Sequence, residues 1–332
     1  MTARPFQQLV HKEKQRLLIA VICAMVGMEF LENGMFVFAS SHILGAIAAA
    51  PQEFALVQMA YAVGNMLMVA LQQWLTRHFG YRHYLLLALA LFGLGDIGCA
   101  LATSLPELIA ARMLEGMGGG AFFLSTRVLI PLLFSASLRP LASRCFMLSI
   151  FGVGVVAPLL SATLVDGWGW QWVFWIVLPI AALVAVGVRW LLPRHLGKSA
   201  QPVRWSLVPI VLFLLAVGSV QWAFSEARYE LFDRPDLLAL AVLAGVTLLG
   251  LFSIHQWRHD EPLLHLRDLS NPGFLAGLAL YAMYYFIVNF SNYLFPQFAQ
   301  QGLGIPVVTT GWLNSFAGAV SFVAVVLYIR YS

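Results

Sequence analysis

Charged side chains are scarce in this sequence. Only 10% of the 332 residues are Asp, Glu, Lys or Arg, whereas 61% are hydrophobic. A soluble domain is typically about 25% charged. A soluble protein would lack the polar surface to cover so much apolar material, so most of the chain is expected to lie in lipid. The net charge of +4 comes from basic residues scattered over short loops, which argues against binding to nucleic acid.

Cysteine is also rare, and common catalytic motifs are missing. The three cysteines, Cys23, Cys99 and Cys145, lie far apart in or near apolar runs, which predicts packing residues and neither a disulfide framework nor a metal site. The sequence contains no G-x-S-x-G, H-E-x-x-H or Walker pattern. We therefore predict that the protein is not an enzyme and holds no cofactor or metal.

Long apolar runs are what the sequence has in abundance. A membrane-spanning helix needs about 20 mostly apolar residues, and the runs that reach this length are separated by short segments rich in Pro, Gly or charge. We predict an all-α polytopic membrane protein with about ten transmembrane helices, at 17–40, 54–75, 84–103, 107–127, 145–165, 172–192, 206–225, 237–256, 273–298 and 309–329.

The basic residues alternate between the connections of these ten helices. Arg228 and Arg234 lie in the seventh connection, and Arg112 lies inside the fourth helix. Lys and Arg concentrate on the cytoplasmic side of membrane proteins, so the pattern predicts cytoplasmic N- and C-termini. The sixteen basic residues assigned to that side are Arg4, Lys12, Lys14, Arg16, Arg77, Arg82, Arg127, Arg139, Arg144, Arg189, Arg194, Lys198, Arg204, Arg258, Arg267 and Arg330.

Five charged residues remain in the interior of the predicted helices, away from the helix ends. They cost roughly 2.5 to 3.5 kcal/mol each at a helix centre, which predicts that they face the bundle interior, where they find partners or water. Glu29 and Glu32 are three residues apart and share a face of the first helix, and Arg112 and Glu115 share a face of the fourth helix in the same way. The five are Glu29, Glu32, Asp96, Arg112 and Glu115.

Arginine is not neutralised in proteins, so Arg112 needs an acidic or carbonyl partner. Glu115 is the local candidate, and Glu32 or Glu29 is the candidate across the bundle. Either a static ion pair locks the helices together, or a carboxyl group there binds a proton and releases it as water access changes. Asp96, between glycines in "GLGDIG", is equally compatible with a hydrogen bond to a neighbouring helix and with a proton relay.

Four segments carry motif-like patterns: "LIAARMLEGMGGGAFF" (108–123), "GVGVVAPLLSA" (152–162), "WGWQWVFWIVLP" (168–179) and "NYLFPQFAQQGLGIPVVTTGW" (292–312). They resemble motifs of the major facilitator superfamily, in its branch of fourteen-helix drug:proton antiporters. The first resembles the fourth-helix arginine motif, the second the fifth-helix antiporter motif, the third the tryptophan-rich entry to the sixth helix, and the last the stretch from the family's seventh helix into its eighth.

The resemblance assigns roles to individual residues. Glu32 takes the place of the branch's first-helix acid, and Arg112 would modulate a nearby carboxylate. Proline favours a kink, and small residues beside it would let the fifth helix pack closely and slide. The predicted antiporter motif consists of Gly154, Ala157, Pro158, Ser161 and Ala162. The loop "QWLTRHFGYRH" (73–83) departs from the family pattern, keeping Gly80 and Arg82 but lacking its acid.

The resemblance also implies a domain organisation. Residues 1–192 would form an N-terminal six-helix bundle, 193–260 an inserted pair of helices, and 261–332 the first two helices of a C-terminal bundle. On this comparison the chain is a truncated product or a fragment, four helices short. The predicted ninth helix is polar and aromatic, and one face is a candidate lining for a substrate cavity, although interhelical hydrogen bonds would also explain it. That face carries Tyr281, Tyr285, Asn289 and Asn292.

The resemblance implies a secondary transporter of the inner membrane that exchanges protons for amphipathic small molecules by alternating access. The proton would be the coupling ion, taken up on Glu32 with the assistance of Glu29 and tuned by Arg112. Glu115 and Asp96 complete the predicted proton-coupling set. Gram-negative members of this kind work with a periplasmic adaptor protein and an outer-membrane channel. The alternative function is that of a truncated membrane protein that transports nothing and acts as an interaction or assembly partner.

Overall fold

A computed structural model of the chain describes residues 12–50, 53–199, 207–230, 234–258 and 269–331. Three of the basic residues used to predict topology, Arg4, Arg204 and Arg267, lie outside these ranges. The described residues form α-helices and one short π-helix, Phe298–Gly302. The α-helices are α1 Lys12–Ala46, α2 Phe54–Phe79, α3 Tyr81–Leu101, α4 Leu105–Leu133, α5 Arg139–Gly167, α6 Trp172–Trp175, α7 Val177–Leu191, α8 Leu207–Glu230, α9 Pro235–Arg258, α10 Pro272–Gln297 and α11 Val307–Tyr331.

The structure confirms an all-α polytopic membrane protein. Within the described ranges, nine helical segments are long and apolar enough to cross a membrane, and α8 adds a shorter apolar stretch, Val208–Phe224. The predicted sixth span is broken at Ile176 into α6 and α7. Pro179 explains the break, because it has no N–H to offer the carbonyl group one turn earlier. The first span is longer than predicted, since α1 runs on to Ala46.

The best-packed part of the molecule is the bundle of α1 to α7. There α4 packs against both α2 and α3, and α1 packs against α5 and α7. Small residues permit this approach. A Cβ atom on Gly116 of α4 would lie 2.9 Å from the Cα of Tyr61, and one on Gly64 of α2 would lie 2.9 Å from the backbone nitrogen of Met117. Side chains at these positions would force the two helices apart.

Outside this bundle the helices are less buried. α8 and α9 pack on each other, and α8 also touches α2. α11 packs along α5, whereas α10 has few neighbours, and no residue in the most apolar stretch of α10 and the π-helix is buried among the described residues. The division of the chain at 192 and 260 remains a prediction.

Basic connections meet at one end of the seven-helix bundle. The N–H of Tyr81 donates to the carbonyl oxygen of Leu196 at 2.8 Å, and the N–H of Ser199 donates to that of Arg77 at 2.8 Å. The loop between α2 and α3 therefore lies against the segment after α7. Both segments were assigned to the same side of the membrane on charge alone.

Candidate functional site

The most unusual feature of the helical bundle is a completely buried arginine. Arg112, in the first third of α4, has no exposed side-chain surface. Its Nη1 atom donates to Oε1 of Glu115 at 2.7 Å and to Oε1 of Glu32 at 2.9 Å. The first partner is one turn along the same helix and the second lies across the bundle on α1. Both partners were predicted.

The other side of the guanidinium group meets neutral acceptors and aromatic rings. Nη2 donates to Oδ1 of Asn33 at 3.3 Å and to Oε1 of Gln58 at 3.4 Å. The Cζ atom lies 4.0 Å from the ring centroid of Phe36 and 4.4 Å from that of Tyr61. A desolvated cation over aromatic rings is stabilised by up to about 2 kcal/mol. The arginine is therefore fixed on several sides.

Glu29 lies in the same region but does not pair with Arg112. Its Oε1 atom accepts a hydrogen bond from the hydroxyl group of Tyr61 at 3.2 Å, and its Oε2 atom has no partner among the described residues. Tyr61 therefore contacts Glu29 with its hydroxyl group and Arg112 with its ring. Of the two candidate first-helix acids, the structure pairs Glu32 with the arginine.

Asp96 completes the cluster from α3. It is fully buried, and ligand oxygens of Glu32, Asp96 and Glu115 all lie within 4.8 Å of one another. Three carboxyl groups at this separation have the spacing of a cation site, although Arg112 already takes one oxygen of Glu32 and one of Glu115. Neither oxygen of Asp96 has a hydrogen-bond partner in the described part of the chain. Within the described ranges, Asp96 therefore makes no side-chain hydrogen bond to a neighbouring helix, which was one of the two possibilities that the sequence left open.

Glycines in α3 explain why Asp96 reaches this cluster. A Cβ atom on Gly95 would lie 2.5 Å from the Cα of Glu115, and one on Gly98 would lie 2.9 Å from the Cβ of Ala111. α3 and α4 therefore approach closely on either side of Asp96. Small residues permit such close contact between helices.

The predicted antiporter motif lies on α5 between α1 and α11. On the α1 side, Ala157 is buried beside Gly34, and the hydroxyl group of Ser161 donates to the carbonyl oxygen of Met35 at 2.8 Å. α5 continues through Pro158 as one helix, Arg139–Gly167. The motif therefore joins α5 directly to the helix that carries Glu32.

On its other side the motif faces small residues of α11. A Cβ atom on Gly311 would lie 2.7 Å from the Cβ of Ala162, and one on Gly318 would lie 2.7 Å from the carbonyl oxygen of Gly154. Between them, the N–H of Leu159 donates to Oγ of Ser315 at 3.2 Å. Three positions spaced by three and four residues thus form the face of α11 that contacts α5.

The predicted cavity-lining residues lie on α10. The rings of Tyr281 and Tyr285 are 4.8 Å apart, so these side chains share a face, and both are exposed. Asn292 is also exposed, whereas the side chain of Asn289 lies outside the described part of the chain. Whether this face lines a substrate cavity stays a prediction.

An unpredicted row of aromatic rings connects α10 with the arginine. Tyr293 stacks on Phe54 with ring centroids 5.1 Å apart, and Phe54 stacks on Phe36 at 5.5 Å. Phe36 in turn lies under the guanidinium group of Arg112. Aromatic residues are common in membrane helices, so their type alone gave no reason to single them out. The polar Gln58 and Tyr61 of α2, three residues apart, carried the clearer signal that sequence analysis missed.

Comparison with known proteins agrees with the predicted family. The chain is 26% identical to the probable multidrug resistance protein EmrY of Escherichia coli K12, over 86% of this chain and 55% of that protein. It is 27% identical to the multidrug resistance protein Stp of Mycobacterium tuberculosis, over 81% of this chain and 50% of that protein. The chain thus spans about half the length of these curated relatives.

Solved structures agree with the observed helical architecture. A crystal structure of the POT family transporter PepTSo superposes with a TM-score of 0.50 at 18% sequence identity, covering 71% of this chain and 51% of that one. This likeness supports the fold alone.

A family model agrees over almost the whole sequence. The model described as Major Facilitator Superfamily matches residues 17–332. That family comprises transporters and not enzymes, which confirms the prediction that the chain is not an enzyme. The chain belongs to the Major Facilitator Superfamily.

Proposed function

We propose that this chain is part of a secondary transporter that exports amphipathic small molecules in exchange for protons. The observation that carries the proposal is Arg112, buried between Glu32 and Glu115 in the membrane-spanning bundle. A fixed positive charge beside carboxyl groups favours their charged form, and burial favours the protonated form. The balance shifts when water reaches the site, which is the property a coupling site needs.

In this mechanism Glu32 exchanges the proton. When the site opens to the outside, Glu32 takes up a proton and its attraction to Arg112 weakens. When the site opens to the cytoplasm, the proton leaves and the ion pair forms again. Because Glu32 lies on α1, and α1 packs on α5, a change in this pair can be transmitted to the helix that carries the motif at Pro158. The two ion-pair states would thus favour different packings of α1 and α5.

The substrate class is proposed from the relatives and from α10. EmrY and Stp are named as multidrug resistance proteins. Tyr281, Tyr285 and Asn292 combine apolar rings with polar groups on exposed surface of α10. Such a face suits compounds that are partly apolar and partly polar. The set of Tyr281, Tyr285, Asn289 and Asn292 therefore remains our proposed cavity lining.

Drug export from cells tests this function. We expect a strain that lacks its own efflux pumps to accumulate less of a fluorescent amphipathic dye when it produces the protein, in a form extended to the relatives' length. Collapse of the proton gradient should abolish the difference. Glu32→Gln should abolish it as well, and Glu53→Gln, outside the cluster, should not. Undiminished proton-driven export by Glu32→Gln would disprove the role of Glu32.

We also propose that the protein lies in the inner membrane, with both termini in the cytoplasm. The meeting of Arg77 with the segment around Leu196 at one end of the bundle supports a common side for these basic segments. Cysteines introduced at Lys198 and at Asp236 test it. A membrane-impermeant thiol reagent applied to intact cells should label the second position and not the first.

A second candidate function is that of an interaction or assembly partner that transports nothing. The chain spans about half the length of its curated relatives, and α10 is left largely uncovered. If the 332-residue chain exports nothing while an extended form does, this candidate gains. Binding of a periplasmic adaptor and an outer-membrane channel is also proposed, and co-purification after cross-linking in a Gram-negative host tests it.

A further inference from the structure

The carboxyl group of Asp96 is the least compensated polar group of the buried cluster. Both of its oxygens are buried and without a hydrogen-bond partner among the described residues, and Oε2 of Glu32 is in the same situation. These atoms belong to residues whose ligand oxygens come within 4.8 Å of each other. Two carboxyl groups with unpartnered oxygens therefore lie close together, one on α1 and one on α3.

The groups around Asp96 supply one permanent positive charge. Glu32 of α1 and Glu115 of α4 are both bonded to Arg112. Tyr61 on α2, with Glu29 behind it, and Cys99 on α3 complete the ionisable groups nearby. α6 and α7 also pack on α3, but the ionisable side chain that α7 carries, Arg189, is in its last turn.

Arg112 makes no hydrogen bond to Asp96 in addition to those with its present partners. Nη1 donates to the two glutamates, Nη2 donates to Asn33 and Gln58, and the buried Nε has no partner among the described residues. If Glu32, Asp96 and Glu115 were all ionised, the cluster would carry two uncompensated negative charges. Buried charges without partners are strongly disfavoured, and such groups take up protons instead.

We propose that this cluster holds two exchangeable protons at once, one on Asp96 and one shared by Glu32 and Glu115. With two protons the three carboxyl groups and Arg112 sum to zero charge. A proton on Asp96 has acceptors nearby, because an oxygen of Asp96 lies within 4.8 Å of an oxygen of Glu32 and of an oxygen of Glu115. The cluster therefore stores protons as a chain of carboxyl groups across α1, α3 and α4.

This inference rests on the proposed function in one respect only, namely that the two protons drive transport. With two protons exchanged for each substrate, the membrane potential would drive export of an uncharged or singly charged compound in addition to the pH gradient. Glu29 is not counted, because it lies outside the group of three and is held by Tyr61. A bound metal cation is the competing way to neutralise the same oxygens.

Infrared spectroscopy of the purified chain in lipid tests the inference without any transport. Protonated carboxyl groups have a C=O stretching band distinct from that of carboxylates. At neutral pH we expect Asp96→Asn and Glu32→Gln each to remove one component of this band. Glu107→Gln is the control, since Glu107 is exposed and its carboxylate accepts hydrogen bonds from Thr103. It should leave the band unchanged.

Two results would overturn the inference. One is a protonated-carboxyl band that Asp96→Asn does not alter in a correctly folded sample. The other is a band that is absent in sodium chloride or trace divalent metal and appears in choline chloride with a chelator, which would assign the oxygens to a metal cation. Both variants replace a carboxyl by an amide of the same shape, and a single symmetric gel-filtration peak confirms the fold.

A transport measurement separates this inference from the proposed function. In vesicles that exchange a dye for protons, the number of protons per dye molecule should fall by half in Asp96→Asn. If neither band component is lost but export is intact, the two-proton site is wrong and the transporter stands. If both components are lost as expected and no form of the protein exports anything, the site stands and the proposed function is wrong.

Discussion

The bundle of α1 to α7 and the helix α10 are built from similar residues but packed in opposite ways. In the bundle, glycines bring backbones together, and Arg112 is completely buried. In α10, side chains as large as Phe286 and Tyr281 are exposed, at 69% and 49%. Hydropathy does not distinguish the two regions, because both are apolar. What differs is the placement of small residues. In the bundle the glycines lie where two helices meet, and on α10 Gly277 does not.

The largest expected effect is the loss of the buried positive charge. Arg112→Gln leaves Glu32 and Glu115 without their partner in a fully buried site, and breaking a buried pair in this way costs about 3 to 5 kcal/mol. We expect a large fall in the thermal midpoint measured by tryptophan fluorescence in detergent. Arg330→Gln, on exposed α11, is the matched control and should have almost no effect.

Lysine at position 112 gives a second way to examine the same charge. Lys keeps the charge but lacks the planar fork that reaches several acceptors at once. Arg112→Lys should recover less than half of the lost stability. Full recovery by lysine would mean that charge alone matters and that the contacts to Asn33 and Gln58 contribute nothing.

The second prediction concerns the glycine contacts themselves. Gly116→Ala places a methyl group against the backbone of Tyr61, and overpacking of this kind costs about 1 to 3 kcal/mol. In α10, a Cβ atom on Gly277 would meet nothing within 4 Å. Gly277→Ala should be neutral or slightly stabilising, since Ala is the better helix former by about 1 kcal/mol. Thermal midpoints of the two variants measure the difference.

Equal destabilisation by the two alanines would contradict the contrast between the regions. It would mean that Gly277 of α10 is covered in the membrane, for example by another helix. The same comparison in an extended form of the protein is informative, because a helix that covers α10 there would make Gly277→Ala costly in that form alone.

The third prediction addresses the helix that links the two regions. α11 meets α5 through Ser315, whose Oγ accepts from the N–H of Leu159. Ser315→Ala removes this interhelical hydrogen bond, at a cost of about 1 kcal/mol. We expect amide hydrogen exchange in residues 155–163 to become roughly five times faster. Ser321→Ala should change nothing there, because its hydroxyl group bonds to Ala317 of its own helix. Unchanged exchange in Ser315→Ala would show that the contact is not needed.

Much of the candidate site could be predicted from the spacing of residues along the helices. Arg112 and Glu115 share a face because they are one helical turn apart, and a charge in a membrane helix must find partners, so pairing with a first-helix acid followed. The choice of Glu32 over Glu29 was not predictable from periodicity, since both lie on the same face of α1. Tyr61 decides it, because it donates its hydroxyl group to Glu29 and leaves Glu32 to the arginine.

The contacts that lie between distant helices were the least predictable. Gly311, Ser315 and Gly318 form the face of α11 that contacts α5, yet small residues are common throughout membrane helices and nothing local marks these three. The break of the sixth span at Ile176 was missed for a different reason. The residues on both sides of Ile176 are apolar, so hydropathy shows no interruption there. One proline, Pro179, does not shorten the apolar run from which the span was predicted.

The smallest expected effect is at the contact between α5 and α1. The hydroxyl group of Ser161 donates to the carbonyl oxygen of Met35. Because Met35 lies inside a helix, this oxygen can also accept a backbone hydrogen bond, so it is not left unpaired when the hydroxyl group is removed. Hydrogen bonds between membrane helices average roughly 0.6 kcal/mol, so Ser161→Ala should lower the thermal midpoint by about 1 to 2 °C. Thr163→Ala is the control, because its exposed hydroxyl group bonds to Leu160 in its own helix. A thermal midpoint lowered more by Ser161→Ala than by Ser315→Ala, measured side by side, would reverse the order proposed for the two sides of α5. The motif would then be bound more tightly to α1 than to α11.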